Sequence, residues 1–224
     1  MPNALPRAMP RAMPRSLAMP RSRAMPRSLA ILLAAVALGG CGAAAARTPN
    51  DSPSGPGLQG LILKPQKAAP PLALHNYTGQ PVSLAALRGH AVLVTFVYTH
   101  CPDVCPLIVS DLAEAQRELG PAASTVKIVA VTVDPRRDTP GAIRAFLAAR
   151  GASERMDYLI GSMPALRRTW KLWDVAVLSG PNQLTNGHSA VVYGITASGR
   201  MAVVYPSNFT PAQIVHDVPL LAKT

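Results

Sequence analysis

Val92-Leu-Val-Thr-Phe-Val-Tyr-Thr-His-Cys101-Pro-Asp-Val-Cys105-Pro106 is the stretch of this 224-residue chain on which the reading of the fold turns. An apolar, β-branched run of this length reads as a strand buried on both faces. The Pro/Asp interruption stops it, and helical periodicity follows from Ile108 to Leu119. Two cysteines four residues apart therefore sit where a central strand turns into a helix.

Outward from that turn, the chain alternates strands and helices. Leu72 to Leu87 reads as two short strands around the turn signal Asn76-Tyr-Thr-Gly79-Gln-Pro81, and the strand Ala91–Tyr98 follows Gly89. The helix after the cysteines stops at Gly120-Pro121, and Val126 to Val133 is a second buried strand. A helix runs from Asp138-Thr139-Pro140 to Arg150, with Thr139 or Asp138 as cap and Gly151 beyond its end. Asp157–Ile160 is a short strand and Met163 to Trp173 a helix. His188 to Thr196 and Met201 to Tyr205 form a hairpin, and Pro211 to Leu221 is a closing helix. This order is α/β, with the two buried runs parallel and the late hairpin adding antiparallel strands.

The first quarter has a different character. Six arginines precede residue 30 with no acidic residue beside them, inside a Met-Pro-Arg repeat at Met9, Met13, Met19 and Met25. Such a basic, proline-broken repeat is not expected to pack. It reads as an upstream extension, with translation starting at Met19 or Met25. From Met25 a charged start leads into the apolar run Leu29–Leu38 and then Gly39-Gly40-Cys41, the layout of an export signal too short to span a bilayer. Leu-Gly-Gly-Cys resembles a bacterial lipobox, which implies cleavage before Cys41 and lipidation of its sulfur; an uncleaved signal anchor is the alternative. Gly42 to about Ala69 is rich in Ala, Pro, Gly and Ser and reads as a tether. The expected organisation is thus 1–40 extension plus export signal, 41–69 lipidated N-terminus and flexible linker, and 70–224 folded domain.

Composition narrows the function. The formal net charge of +11 is carried largely by the leading repeat: from Cys41 onward 16 Lys and Arg face 11 Asp and Glu, with no basic stripe. The ten aromatics are not interleaved with basic residues, so nucleic-acid binding is not expected. No Ser–His–Asp spacing, HExxH, Walker loop or GxGxxG after a strand occurs.

If residues 101–105 form a first helical turn, the side chains of Cys101 and Cys105 share one face. A helix N-terminus favours thiolates, so both pKa values are expected to be depressed. Two such thiolates can close a disulfide or grip a soft ion, while two buried bystander thiols are the plain alternative. Zinc and iron–sulfur sites want three or four protein ligands, so Cu(I) is the better match. In a thioredoxin-like arrangement the loop Pro181–Gly187 faces the cysteine-bearing helix, which makes His188 the candidate third donor. His75, His90 and His216 read as surface residues on a turn, a strand entry and a helix. His100 adjoins Cys101 but should point elsewhere. Asp134, at the carboxyl end of the second buried strand, and Asp103, between the cysteines, could orient or tune the ligands; turn and capping roles are the alternatives.

Thr99-His-Cys101-Pro-Asp-Val-Cys105-Pro106, Val133-Asp-Pro-Arg-Arg-Asp138-Thr-Pro140 and His188-Ser189 before an apolar strand resemble the Sco/SenC family from about Pro70 to Leu221. The resemblance implies a thioredoxin-like fold: a central mixed sheet flanked by helices, with an N-terminal β-hairpin extension. It implies one copper, Cu(I) or Cu(II), bound by Cys101, Cys105 and His188. It also implies delivery to, or preparation of the thiols of, the dinuclear copper centre of cytochrome c oxidase subunit II, alongside other copper-delivery proteins. Members commonly carry an acidic residue before the histidine, where this chain has Gly187. A lipid on Cys41 would anchor the exported domain to the bacterial membrane, facing the periplasm or cell exterior. The alternative is a thiol–disulfide oxidoreductase or peroxidase using the same pair. Its CxxxC spacing departs from the CxxC of redox enzymes, and Tyr98 stands where a peroxidatic site wants Thr.

Overall fold

At the centre lies β4 (Ala91–Val97), a strand in which all seven residues are buried. The computed structural model describes residues 57–177 and 190–224. Beside β4 runs β5 (Val126–Thr132), paired in parallel through seven registered residues from Ala91↔Val126 to Val97↔Thr132. A third parallel strand, β6 (Asp157–Ile160), adds to β5. On the other flank β7 (Val191–Ile195) and β8 (Arg200–Pro206) form the expected antiparallel hairpin, with β7 paired to β4. The hairpin of β2 (Ala73–Asn76) and β3 (Pro81–Ser83) extends the sheet beyond β6. Its turn is shaped by Asn76, whose side-chain oxygen accepts from the N–H groups of Thr78 and Gln80, with Gly79 at φ +93°.

Among the described residues four α-helices flank this mixed sheet: α1 (Val104–Glu118), α2 (Pro140–Ala148), α3 (Met163–Leu172) and α4 (Pro211–Ala222). Crossovers through α1 and α2 join β4 to β5 and β5 to β6, so the carboxyl ends of all three strands, and the turns leaving them, gather on one edge. The result is the expected thioredoxin-like α/β fold. No helix among the described residues is long and apolar enough to cross a membrane.

Two expectations need correction. The folded domain, expected from residue 70, begins earlier, because β1 (Leu61–Ala68) pairs antiparallel with β8 and completes, among the described residues, an eight-stranded sheet in the order β1-β8-β7-β4-β5-β6-β2-β3. Local sequence pattern does not mark this segment because it is an edge strand. Most of its side chains are exposed, Leu61 and Ile62 among them, and Pro65 falls where the register shifts between Ile62 and Lys67. An edge tolerates proline and a bulge that a central strand would not. The anchoring reaches back further: the Gln59 N–H donates to Asp217 Oδ2 at 2.8 Å, and a Cβ on Gly60 would stand 2.4 Å from Val203. The second correction is His75, which lies in β2 and not on the turn, although it is exposed as expected.

Candidate metal centre

The cysteine loop leaves the end of β4 at the edge where the parallel strands terminate. Tyr98 is still buried; Thr99 is half-buried and His100 exposed. The Cys101 N–H donates to the Tyr98 carbonyl at 3.3 Å, which folds the chain back before Pro102 and Asp103. The α1 helix begins at Val104, so Cys105 lies in its first turn while Cys101 precedes it. Even so the two residues meet: the Cys105 N–H donates to Cys101 Sγ at 3.4 Å. Cys101 sulfur thereby takes up one of the otherwise unpartnered N–H groups of the helix start. Both thiols are free, Cys101 half-buried and Cys105 fully buried.

That asymmetry corrects the expected thiolate character. The helix start is present, but Cys105 sits inside the core at 0% exposure. Burial pushes its thiol well above the ordinary range, helped by the neighbouring Cys101 and the negative charge of Asp138, and opposed by the Tyr98 backbone. Desolvation outweighs the helix dipole because a dipole effect of roughly 0.3–1 kcal/mol is small beside the cost of an unpaired buried charge.

The acidic residues divide differently from the sequence reading. Asp103 stands at the N-cap position of α1, is exposed, and makes no capping bond with its side chain. Asp134 forms the turn after β5: its carboxylate pairs with Arg137 and its carbonyl accepts from the N–H groups of Arg137 and Asp138. Thr139 caps α2, accepting from the Ala142 N–H at 3.2 Å. Asp138 is thus free of capping and turns inward, 3% exposed. Its Oδ1 accepts from the Thr99 N–H at 2.8 Å and the Thr99 hydroxyl at 2.7 Å; its Oδ2 accepts from Thr132 at 2.6 Å and Tyr158 at 2.7 Å. Burial and this carboxylate push the Tyr158 phenol well above its usual value. From sequence Asp138 is one of two cap candidates for α2. The available signal was threonine at the ends of both buried strands, two hydroxyl donors needing an inward acceptor.

His90 and His216 are half-buried, the latter bonded to Asp217 through Nδ1 at 2.7 Å. His188 and Cys41 lie outside the described residues. Among the described residues no three His, Cys, Asp or Glu come together as a metal cage. What they offer is two sulfurs, a soft donor pair that suits a thiophilic ion of low coordination number or a disulfide.

The family model described as SCO1/SenC matches residues 62–223. A protein of Stutzerimonas stutzeri named as copper-binding is 32% identical over 65% of this chain and 68% of its own length. Among solved structures, copper-bound Bradyrhizobium japonicum ScoI is 27% identical, with a TM-score of 0.61 over 69% of this chain and 99% of that one. BsSco, described as a Sco-family cytochrome c oxidase assembly protein with a disulfide switch, is 26% identical, with a TM-score of 0.60 over 70% of this chain and 95% of that one. The chain spans between about half and two thirds of the length of the curated relatives it matches.

Proposed function

Since the chain belongs to the SCO1/SenC family, whose copper-binding members serve cytochrome c oxidase assembly, we propose that it is a copper metallochaperone holding one copper per chain through Cys101, Cys105 and His188. The carrying observation is the free thiol pair, brought together by the Cys105 N–H on Cys101 Sγ. Thiolate sulfur selects Cu(I), and an imidazole nitrogen extends the set toward Cu(II). Each residue has its own task. Cys101, half-buried ahead of the helix, is the accessible sulfur that meets metal or partner. Cys105 keeps its proton until a metal displaces it. His188, preceded by Gly187 where an acidic neighbour is common in the family, supplies the third donor.

The recipient is the dinuclear copper centre of oxidase subunit II, with other copper-delivery proteins upstream. Exposed Pro102, Asp103 and Leu107, the last 58% exposed, form the rim a partner would meet. The domain is exported and held at the bacterial membrane by a lipid on Cys41, facing the periplasm or cell exterior, and the segment from Cys41 to about Gln59 is its tether. A single acyl chain binds a bilayer weakly, so lasting attachment needs more than one chain on Cys41.

Titrating the reduced chain with Cu(I) under a competing chelator tests this directly. Stoichiometry near one per chain is expected, lost in Cys101→Ser and Cys105→Ser, and weakened for Cu(II) in His188→Ala. Undiminished binding in the cysteine variants would falsify the assignment. The same sulfur proximity also permits a Cys101–Cys105 disulfide, so thiol–disulfide exchange with a target's cysteines is the second reading. Insulin reduction at thioredoxin-like rates would favour it.

A further inference from the structure

The environment of Thr99 and His100, the two residues immediately before Cys101, is more constrained than a surface loop requires. Thr99 gives both of its donors, backbone N–H and hydroxyl, to one oxygen of a buried carboxylate. The hydroxyl has a single proton, and a carboxylate can only accept it. The remaining contact of that hydroxyl, with His100 Nδ1 at 2.9 Å, must then be one in which the imidazole donates. The neutral His100 ring accordingly carries its proton on Nδ1 and leaves Nε2 bare, on an exposed side chain beside Cys101. An unconstrained surface histidine favours the opposite tautomer.

The other oxygen of the same carboxylate is fixed from the core side. Thr132, the last residue of β5, and Tyr158, in β6, both donate to Asp138 Oδ2. Thr132 is itself held, its carbonyl accepting from Trp170 Nε1 at 3.0 Å and its hydroxyl from the Asp134 N–H at 3.1 Å. Four donors from β5, β6 and the end of β4 therefore converge on one carboxylate, which makes no capping bond to α2. Among the described residues its outward bonds go to Thr99.

We propose that Asp138 is a positioning residue of the cysteine loop: it clamps Thr99 to the ends of β5 and β6 and, through the Thr99 hydroxyl, sets the tautomer and orientation of His100 next to Cys101. This deepens the copper-carrier reading and rests on it for function, while the geometry itself is independent of any metal. The clamp fixes where the backbone enters Cys101, so the sulfur pair is preorganised before metal arrives.

The test uses the full chain, reduced and metal-free, with nitrogen NMR of the His100 imidazole as the first readout and Cu(I) affinity as the second. Wild type should show the Nδ1–H form. Thr99→Val, which removes the hydroxyl and keeps the backbone bond, and Asp138→Asn should return His100 toward the Nε2–H form. Both should weaken copper about 10- to 100-fold, as loss of an outer ligand-orienting contact typically does. Tyr205→Phe removes an equivalent buried donor, to the Asp217 carboxylate outside this network; it should lower thermal stability yet leave tautomer and copper affinity near wild type. Asp138 would be merely structural if Asp138→Asn and Tyr205→Phe lost stability alike with the tautomer unmoved. An Nε2–H imidazole in wild type would equally overturn the inference. If Asp138→Asn does not fold, Thr99→Val decides alone. Copper binding in wild type that ignores Cys101 and Cys105 would refute the carrier reading instead, and the tautomer would still judge the clamp.

Discussion

Burial of Cys105 makes a quantitative prediction about its proton. An ordinary thiol ionises near about 8.5. In the folded chain desolvation is the largest cause raising Cys105, and that cause survives when Cys101 is replaced. In folded Cys101→Ser, where Cys105 is the one cysteine of the domain, ultraviolet thiolate absorbance should not rise between about pH 7 and pH 9.5. Subtracting the Cys101→Ser/Cys105→Ser double variant removes the tyrosine background. The sign for stability follows from the same shift. A raised folded pKa means the native state keeps a proton that the unfolded chain has lost. The contribution is therefore fully present below about 8.5 and declines above it, toward the folded value, by about 1.4 kcal/mol per pH unit. The consequence for function is that Cu(I) uptake by wild type must expel the Cys105 proton. That thiol alone makes affinity rise about tenfold per pH unit, and it still releases a proton near pH 9, where an ordinary thiol would have little left to give. A thiolate midpoint at or below about 8.5 in folded Cys101→Ser, or proton release fading to nothing by pH 9, would refute the reasoning.

Three further outcomes follow from the packing. Tyr158 and Tyr205 are both raised, by burial first and then by the carboxylates of Asp138 and Asp217, so their contribution holds below about pH 10 and is lost above it. Urea denaturation over a pH series should show alkaline loss, and Tyr205→Phe should lessen its slope by about 1.4 kcal/mol per pH unit. A chain beginning at residue 70 lacks β1 and the Gln59 bond to buried Asp217, and should be at least ~2 kcal/mol less stable than one beginning at residue 57; equal denaturation midpoints would contradict the edge-strand assignment. Gly194→Ala sets a Cβ 2.4 Å from Val203 Cγ1 in the tightly paired β7–β8 hairpin, and should cost about 1–3 kcal/mol by calorimetry.

What the sequence made legible was what local pattern controls. The unbroken apolar runs of β4 and β5, the Thr139-Pro140 start of α2 and the Asn76–Gly79 turn each carry their cause within a few residues. β1 was not legible, because an edge strand half-paired around Pro65 has neither alternation nor a buried run; its reason for being a strand lies in β8, more than a hundred residues away. The cysteine pair was legible as a site and misjudged as chemistry. A helix start can be read from sequence, whereas the burial that overrides its dipole depends on how the sheet and helices close over Cys105. Asp138 shows the same limit. Its neighbours Thr139 and Pro140 suggested a cap, and only the meeting of β4, β5 and β6 reveals that its partners are Thr99, Thr132 and Tyr158.

The inequality of the two sulfurs also bears on the choice between carrier and redox catalyst. Suppose Cys101 and Cys105 are joined and an external thiolate attacks. The accessible sulfur is Cys101, so the new bond forms there, the Cys101–Cys105 bond breaks, and Cys105 departs with the electron pair. A thiol pushed upward by burial is a poor leaving group, and exchange slows as leaving-group pKa rises. The reverse direction is no better served. Once Cys101 has attacked a partner disulfide, Cys105 must ionise to resolve the mixed disulfide, inside the same apolar surroundings. A metal ion changes this balance, because it would replace the proton on Cys105 with a cation, so that this sulfur never stands in the core as a bare thiolate. Burial that impedes turnover of a disulfide thus becomes retention of a soft cation. The 3.4 Å contact between Cys105 N–H and Cys101 Sγ keeps the second sulfur at hand while it waits.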